Sequence, residues 1–197
     1  MESKITQALG WFQQGKDSEG KEIVCSSRDI FQGRLDSMLR QLIQQTSKEV
    51  EISLFTAIIG ELGNNCFDHN LGQWRDIPGC WFAYGFESNY LWSVVADRGQ
   101  GVRSSLGHIL PDIKSDEEAL EIAFHKKLSG RSSEKRGNGL KFVRGLINGD
   151  RARGLLFTSG NAVKIFGGLE NKIKTIFQTK KTNGVGAFIF VLFQLET

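Results

Sequence analysis

The segment Glu61–His69 brings carboxylates, amides and an imidazole together within a short stretch of predicted helix. Glu61, Asn65 and Asp68 are spaced i, i+4 and i+7, which places their side chains along one stripe. The opposite stripe carries apolar residues of the core type, namely Leu54, Ile58 and Phe67. Burying acids and an amide is costly unless a charged partner meets them. A hydrated magnesium ion with a phosphate behind it would do so, because hard cations prefer oxygen ligands.

A first glycine segment, Asp97-Arg98-Gly99-Gln100-Gly101-Val102, directly follows a predicted strand. Glycines at alternate positions let the backbone turn sharply and let a flat ligand approach it closely. The carboxylate of Asp97, at the end of the strand, can accept a hydrogen bond from an exocyclic amine such as that of adenine. Asp-x-Gly is also typical of ordinary turns, and taken alone this segment favours a turn.

A second glycine segment, Gly137-Asn138-Gly139-Leu140, enters a predicted apolar helix. Glycines at a helix entry expose its first N–H groups, which form an anion site. Three basic residues precede the segment, namely Arg131, Lys135 and Arg136. The alternative interpretation is a flexible entry loop behind a solvated run of charge.

Two other nucleotide motifs are excluded by the sequence. The pattern G-x-x-x-x-G-K-[S/T] is absent, so the chain is not a P-loop protein. The pattern G-x-G-x-x-G is also absent, which excludes a Rossmann fingerprint. The net charge of +3 is spread along the chain and forms no basic stripe, so nucleic-acid binding is not expected.

The composition fits one globular domain, with 40% hydrophobic and 24% charged residues in a chain of 197. Cys25, Cys66 and Cys80 have no motif spacing, which favours reduced thiols over a disulfide framework or a zinc site. Residues 1–15 are polar and unlike a signal peptide. The most apolar run, 187–193, is too short to span a bilayer. We therefore expect a cytoplasmic protein that does not bind a membrane.

Apolar periodicity predicts the elements that position these segments. Helices are predicted at about 30–45, 50–70, 116–128 and 139–148. Strands are predicted at about 21–26, 80–87, 90–96, 155–159, 162–166, 174–178 and 186–195, with a tight turn at Ser88-Asn89. Residues 1–20 read as polar, with a flexible turn at 15–20. This order predicts an α+β fold with helices on one face of a mixed, mostly antiparallel sheet.

In this order, the segments resemble the GHKL superfamily of ATP-binding domains. Its members include sensor histidine kinases, anti-sigma-factor kinases, type II topoisomerases, mismatch-repair ATPases and heat-shock chaperones with the same nucleotide fold. Glu61–His69 matches the N box, E-[L/A]-x-x-N-x-x-[K/D/R]-[H/Y]. Asp97–Val102 matches D-x-G-x-G, and Gly137–Leu140 matches G-x-G-L. Gly184–Phe190 resembles the closing strand G-x-G-T-x-F, so the resemblance covers residues 50–195.

The resemblance implies a two-layer α+β sandwich of the Bergerat type that binds ATP or ADP with Mg²⁺. Glu61 would be the catalytic acid or base, Asn65 would ligate magnesium, and Asp97 would bind the adenine amino group. The other implied nucleotide-binding residues are Asp68, His69, Gly99, Gly101, Val102, Arg131, Lys135, Arg136, Gly137, Asn138, Gly139 and Leu140. Residues 103–136 would form a mobile lid over the nucleotide.

Two positions depart from the usual family pattern, and a third, His69, matches it but has an open role. Ala187 stands where many members have a Thr beside the adenine, which leaves purine selectivity open, and Thr158 or Ser159 is a candidate replacement. Asp68 replaces the Lys or Arg of many kinases and could add an oxygen ligand to the metal. For His69, ring packing, a phosphate contact and a purely structural role all stay open.

We expect an ATP-binding domain at 49–197 and an N-terminal extension at 1–48 with one helix on the same core. Three functions stay open. The chain could be an enzyme that passes a γ-phosphoryl group to water or to a Ser/Thr of a partner. It could be a switch whose ATP-ordered lid is recognised by a partner. It could also be an interaction module without nucleotide. A stand-alone domain most resembles the anti-sigma-factor kinases, so we expect a regulatory protein partner, and a homodimer stays open.

Overall fold

The computed structural model describes residues 1–15, 23–125 and 139–195. The helices in these ranges are α1 Glu2–Gln14, α2 Arg28–Gln45, α3 Glu49–Asp68, α4 Gly101–Gly107, α5 Asp116–His125, α6 Gly139–Asn148 and α7 Glu170–Phe177. The strands are β1 Val24–Cys25, β2 Cys80–Glu87, β3 Tyr90–Asp97, β4 Arg153–Gly160, β5 Ala162–Phe166 and β6 Gly184–Gln194.

The strands form one antiparallel sheet in the order β1-β2-β3-β6-β4-β5. The long strand β6, the last in sequence, lies between β3 and β4 and pairs with both. The β2–β3 hairpin turns at Ser88 and Asn89, with φ of 50° and 64°. Positive φ at both central positions matches the right-handed twist of the flanking strands. The predicted α+β class is therefore confirmed, and its sheet is antiparallel.

One face of the sheet is covered by α2, α3, α5 and α6, which share a core with alternate residues of the strands. Phe55 of α3 meets Phe193 of β6 edge-on, with ring centroids 5.2 Å apart. Phe124 of α5 meets Phe157 of β4 in the same way at 5.3 Å. These aromatic pairs anchor α3 and α5 on the neighbouring strands β6 and β4, and Phe157 also lines the candidate site on this face.

The opposite face is covered by α1 and α7, so the expectation that helices lie on one face is wrong. Strand β3 shows why, because its residues on this side are as apolar as those on the other, with Trp92, Val94 and Ala96 all buried. An apolar face must be covered. Phe12 of α1 and Phe177 of α7 both pack on Phe188 of β6, with centroids 5.8 and 6.0 Å apart.

The predicted elements at the two ends of the chain differ most from the structure. Residues 1–20 read as polar and no helix was predicted there, yet α1 buries Ile5, Ala8 and Phe12 on one stripe. The strand expected at 174–178 lies at the end of α7, whose Ile173 and Phe177 are buried one turn apart. A short segment of alternating character fits either period, and here packing on the sheet decides for helix.

Helix α2 belongs to the same core as α3, through residues that include Phe31, Met38 and Leu42. Its first turn is capped by Ser27, whose Oγ accepts from the Ile30 N–H at 3.4 Å. Across the described ranges, no helix has the length and apolar character needed to cross a membrane.

Candidate functional site

A cavity of about 100 Å³ opens between α3, α4, α6 and the ends of β3 and β6. It brings together six of the residues predicted from the sequence, namely Asn65, His69, Asp97, Gly101, Val102 and Leu140. Its other walls are mainly apolar and include Leu62, Phe157 and Ile189. Such a cleft, apolar with a few convergent polar groups, is typical of a small-molecule site.

Asp97 is the charged group of this cavity, and it is 3% exposed at the end of β3. Its Oδ1 accepts from the Gly99 N–H at 2.8 Å and from Asn70 Nδ2 at 3.0 Å. Burial raises the pKa of Asp97 to about 6, against the opposing effect of hydrogen bonds with Gly99, Cys66, Ala187 and Asn70. The carboxylate is therefore ionised at neutral pH, and it is held as a hydrogen-bond acceptor in apolar surroundings.

Asn70 is a residue that the sequence did not single out. It is 4% exposed and directly follows the N-box segment. Besides Asp97, its Nδ2 reaches the Cys66 carbonyl at 2.9 Å, and its Oδ1 accepts from the Gln100 N–H at 3.1 Å. One amide thus joins the end of α3, the end of β3 and the glycine loop. Its position directly after the box was the available signal.

The two glycines after Asp97, Gly99 and Gly101, have different structural roles. A Cβ on Gly99 would overlap the Asn70 side chain, so this glycine leaves room for the amide. Gly101 has φ +79°, a conformation that favours glycine, and it lines the cavity directly.

Ser159 connects the loop to the sheet at the position opposite Ala187. Its Oγ accepts from the Val102 N–H at 3.0 Å and donates to the Gly186 carbonyl at 2.8 Å. Ala187 lies between Asp97 and Ser159 in the strand register and lines the cavity. Thr158 donates to the Thr182 carbonyl at 2.9 Å. Both candidate hydroxyls for the missing Thr are thus already bonded to the backbone.

Glu61 lies beside the start of α6. Its Oε1 atom is so close to Gly139 that a Cβ on this glycine would overlap it. A carboxylate at a helix N-terminus is electrostatically favourable. Asn65 follows one turn later and lines the cavity, and its Nδ2 is buried without a hydrogen-bond partner among the described residues. The predicted acid and the predicted amide therefore lie where α3 meets α6.

The donor set fits a magnesium ion held with few protein ligands. The oxygen and nitrogen of an amide are told apart by their hydrogen-bond partners. Because Asn65 Nδ2 has no partner among the described residues, the amide can equally present its oxygen to the cavity. Mg²⁺ is usually bound through one or two protein oxygens, with water and substrate phosphates completing its shell. Within 1–15, 23–125 and 139–195, no cluster of three or more His, Cys, Asp or Glu side chains could hold a metal.

Asp68 and His69 lie further from the centre of the cavity. Asp68 pairs with Arg28 of α2, and both side chains are largely exposed. This carboxylate is not among the cavity-lining residues, because the end of α3 turns it towards α2. His69 is exposed at the mouth, where its Nδ1 lies 3.4 Å from Ser105 Oγ. Its carbonyl accepts from Gln100 Nε2 at 2.6 Å.

Several predicted residues lie outside the described part of the chain: Arg131, Lys135, Arg136, Gly137 and Asn138. Of the predicted lid, residues 103–125 are described, and they contain most of α4 and all of α5. Both helices contribute to the cavity wall, through Ser105, Leu106 and Ala123.

The three cysteines form a buried chain beside Asp97. Cys25 and Cys80 are cross-strand partners, Cys80 is in turn paired with Asp97, and Cys66 lines the cavity. A hydrogen bond from the Cys80 thiol and the nearby Arg34 guanidinium lower the pKa of Cys25 to about 7. All three are free thiols.

Arg98 fastens the loop to the other face of the sheet. It is 2% exposed, and its guanidinium donates to the Trp11 and Phe12 carbonyls at 3.0 and 2.5 Å. These carbonyls lie in the last turn of α1, where a cation is favourable. The guanidinium also pairs with Asp76, and this hydrogen-bonded pair lowers the pKa of Asp76 to about 2.

Comparison with known proteins assigns no family. No protein-family model matches the sequence, and no curated protein is significantly similar to it.

Proposed function

We propose that this chain is a GHKL-type protein that binds ATP or ADP with Mg²⁺ in the cavity beside Asp97. Its fold would be of the Bergerat type, with α1 and α7 added on the second face of the sheet. The observation that carries the proposal is the buried, hydrogen-bonded Asp97 carboxylate in a mainly apolar cleft. A purine ring fits apolar walls, and its exocyclic amine would donate to this acceptor. Guanine presents a carbonyl oxygen at the equivalent position, which the carboxylate would repel.

The phosphate end of the proposed ligand would lie towards α6. The first turn of α6 lies against Glu61 of α3, and the unpartnered amide of Asn65 is one helical turn further along α3. N–H groups at a helix start bind phosphate oxygens. Asn65 would hold the magnesium ion, which neutralises phosphate charge when bound.

The proposed reaction is transfer of the γ-phosphoryl group in a regulatory role. The bond from the γ-phosphorus to the bridging oxygen breaks, and ADP leaves with that oxygen. A new bond forms to the oxygen of water or of a partner's Ser/Thr hydroxyl. Glu61 would orient this hydroxyl and take its proton, and most of the rate would come from positioning and charge neutralisation. ATP and reduced thiols fit a cytoplasmic setting.

A nucleotide-dependent interaction switch with little turnover is the second candidate. The observation that favours it is that α4 and α5, in the predicted lid, share the cavity wall through Leu106 and Ala123. A ligand in contact with these helices would stabilise one arrangement of their outer surface, which a regulatory partner could recognise. In this case loss of Glu61 would abolish turnover and leave partner binding unchanged.

The test is calorimetric titration of Mg-ADP into the wild type, Asp97→Asn and Asp36→Asn. Asp36→Asn makes the same chemical change on the exposed side of α2 and serves as the matched control. We expect binding to the wild type and the control, and a loss of about 10-fold to 100-fold in Asp97→Asn, the range for a hydrogen bond to a buried charge. A folded wild type that binds no ADP would refute the proposal.

A further inference from the structure

Asn70 has an arrangement of partners that allows one orientation of its amide. Its Nδ2 lies between two acceptors, the Cys66 carbonyl at 2.9 Å and Asp97 Oδ1 at 3.0 Å. Its Oδ1 faces a donor, the Gln100 N–H, at 3.1 Å. Exchanging nitrogen and oxygen would turn all three contacts repulsive, so the partners fix the assignment.

The slot that holds this amide is made by the glycine loop. A Cβ on Gly99 would overlap Cγ, Oδ1 and Nδ2 of Asn70. The same residue donates its N–H to Asp97 Oδ1 at 2.8 Å. Gly99 therefore admits the Asn70 side chain and shares its acceptor. Its lack of a side chain is explained within the protein, without a ligand.

We propose that Asn70 is a positioning residue of the site, which together with the Gly99 N–H orients the Asp97 carboxylate that the ligand's amine would meet and favours its ionised form. The inference rests on the proposed function for the identity of the ligand. The effect of Asn70 on Asp97 is expected whether or not the protein binds a nucleotide, because the two side chains are bonded within the protein. The reason is physical: a donor to a carboxylate favours its ionised form, and two donors on one oxygen restrict its rotation.

Other ionisable groups near Asp97 come from each neighbouring element. The Cys66 thiol faces it from α3, and Cys80 is its partner on β2. The His69 imidazole lies at the mouth of the same cavity. Arg98 is directed away, towards α1 and Asp76. A test must therefore observe the Asp97 carboxyl itself, because a pH profile of binding alone would combine these groups.

The experiment is a ¹³C NMR titration of the side-chain carboxyl carbons without nucleotide. The Asp97 signal is assigned by its loss in Asp97→Asn, and its wild-type midpoint is expected at the pKa of about 6. Asn70→Ala should raise the midpoint by about one pH unit, the equivalent of one hydrogen bond to a charged group. Asn64→Ala is the matched control, because it removes an amide on α3 that bonds Gln32 instead. It should leave the midpoint unchanged.

A second variant tests the inference if Asn70→Ala does not fold. Asn70→Asp has the same shape and fills the slot, keeps an acceptor for the Gln100 N–H and removes both donated bonds. A second carboxyl beside Asp97 should raise its midpoint further than Asn70→Ala does. An unchanged Asp97 midpoint in the folded variants would overturn the inference.

Binding of Mg-ADP provides the second readout. If only the ionised carboxylate binds, a midpoint moved from 6 to about 7 weakens affinity roughly threefold more at pH 6.5 than at pH 8. A purely structural role of Asn70 would lower affinity by the same factor at both pH values, which would contradict the inference. A wild type that binds no ADP would refute the proposed function alone, since the carboxyl titration would still decide the role of Asn70.

Discussion

Gly99→Ala is a test of the contact between the glycine loop and Asn70. The new Cβ would overlap the three terminal atoms of that side chain. Gly99 is outside the positive-φ region, so alanine costs little backbone strain there. Any loss of stability must therefore come mainly from displacing Asn70.

The expected magnitude follows from the hydrogen bonds that displacement breaks. Asn70 bonds the Cys66 carbonyl at 2.9 Å, Asp97 Oδ1 at 3.0 Å and the Gln100 N–H at 3.1 Å. Each neutral bond contributes about 1 kcal/mol net, and the bond to the carboxylate contributes about 2. Because some freed groups regain water, we expect Gly99→Ala to lower the free energy of unfolding by about 2–4 kcal/mol.

The assay is urea unfolding followed by circular dichroism, arranged as a double-mutant cycle with Asn70→Ala. Alanine at 70 lacks all three overlapped atoms, so Gly99→Ala should cost nearly nothing in that background. The coupling energy should be at least about 1.5 kcal/mol. Gly33→Ala is the matched control, since its Cβ would meet nothing within 4 Å in α2. It should stabilise the protein by about 0.5–1 kcal/mol.

The reasoning would be refuted by additive effects in this cycle. If Gly99→Ala costs the same with and without the Asn70 amide, the loop and the amide do not depend on each other. A Gly99→Ala protein as stable as the wild type would contradict the overlap itself.

Further predictions concern the other polar residues of the site. Because the pKa of Asp97 is raised to about 6 from 3.8, the fold gains stability as pH falls from about 6 to 4; Asp97→Asn should abolish that gain in urea unfolding. At pH 7, Asp97→Asn removes a buried charge and should stabilise the nucleotide-free protein by up to about 3 kcal/mol. Glu61→Gln should abolish ATP hydrolysis or phosphotransfer, measured by phosphate release and partner labelling, and keep ADP affinity within about threefold. Asn65→Ala should remove the magnesium dependence of ADP binding in calorimetry, whereas Asp68→Asn should change affinity little, because Asp68 pairs with Arg28.

Each of these predictions has a contradicting result. An Asp97→Asn protein that is less stable at pH 7 would mean that the carboxylate supports the fold. Turnover retained in Glu61→Gln would place the catalytic acid or base elsewhere. A larger effect of Asp68→Asn than of Asn65→Ala would return Asp68 to the metal site.

The parts of the fold that the sequence predicted are those with a local signal. Helix α3 was predicted within two residues of its observed ends, and the β2–β3 hairpin shows the Ser88-Asn89 turn. The elements that were missed depend on distant partners. Residues 5, 8 and 12 of α1 do recur at helical spacing, a local signal that the prediction did not use. What residues 1–20 do not show is that this stripe covers the sheet face with Trp92 and Val94.

The site shows the same division. Asn65, Asp97 and Gly101 were singled out by motif, and they line one cavity. Asn70 was missed because its importance comes from three partners on separate segments. Asp68 continues the helical stripe of Glu61 and Asn65 in sequence, but it lies at the last position of α3, where Arg28 of α2 pairs with it.

Asp97 and Arg98 are neighbours in the chain, yet they serve opposite sides of the sheet. Asp97 lines the cavity, and Arg98 holds the last carbonyls of α1. Docking of α1 and binding of a ligand in the cavity therefore both constrain the peptide that joins Asp97 to Arg98. If one of these events favours the other, thermodynamic linkage requires the effect to be reciprocal. A ligand that orders this loop would slow amide hydrogen exchange in the last turn of α1. A molecule that displaced α1 would lower the affinity of that ligand without entering the cavity, and the ligand would lower the affinity of that molecule by the same factor.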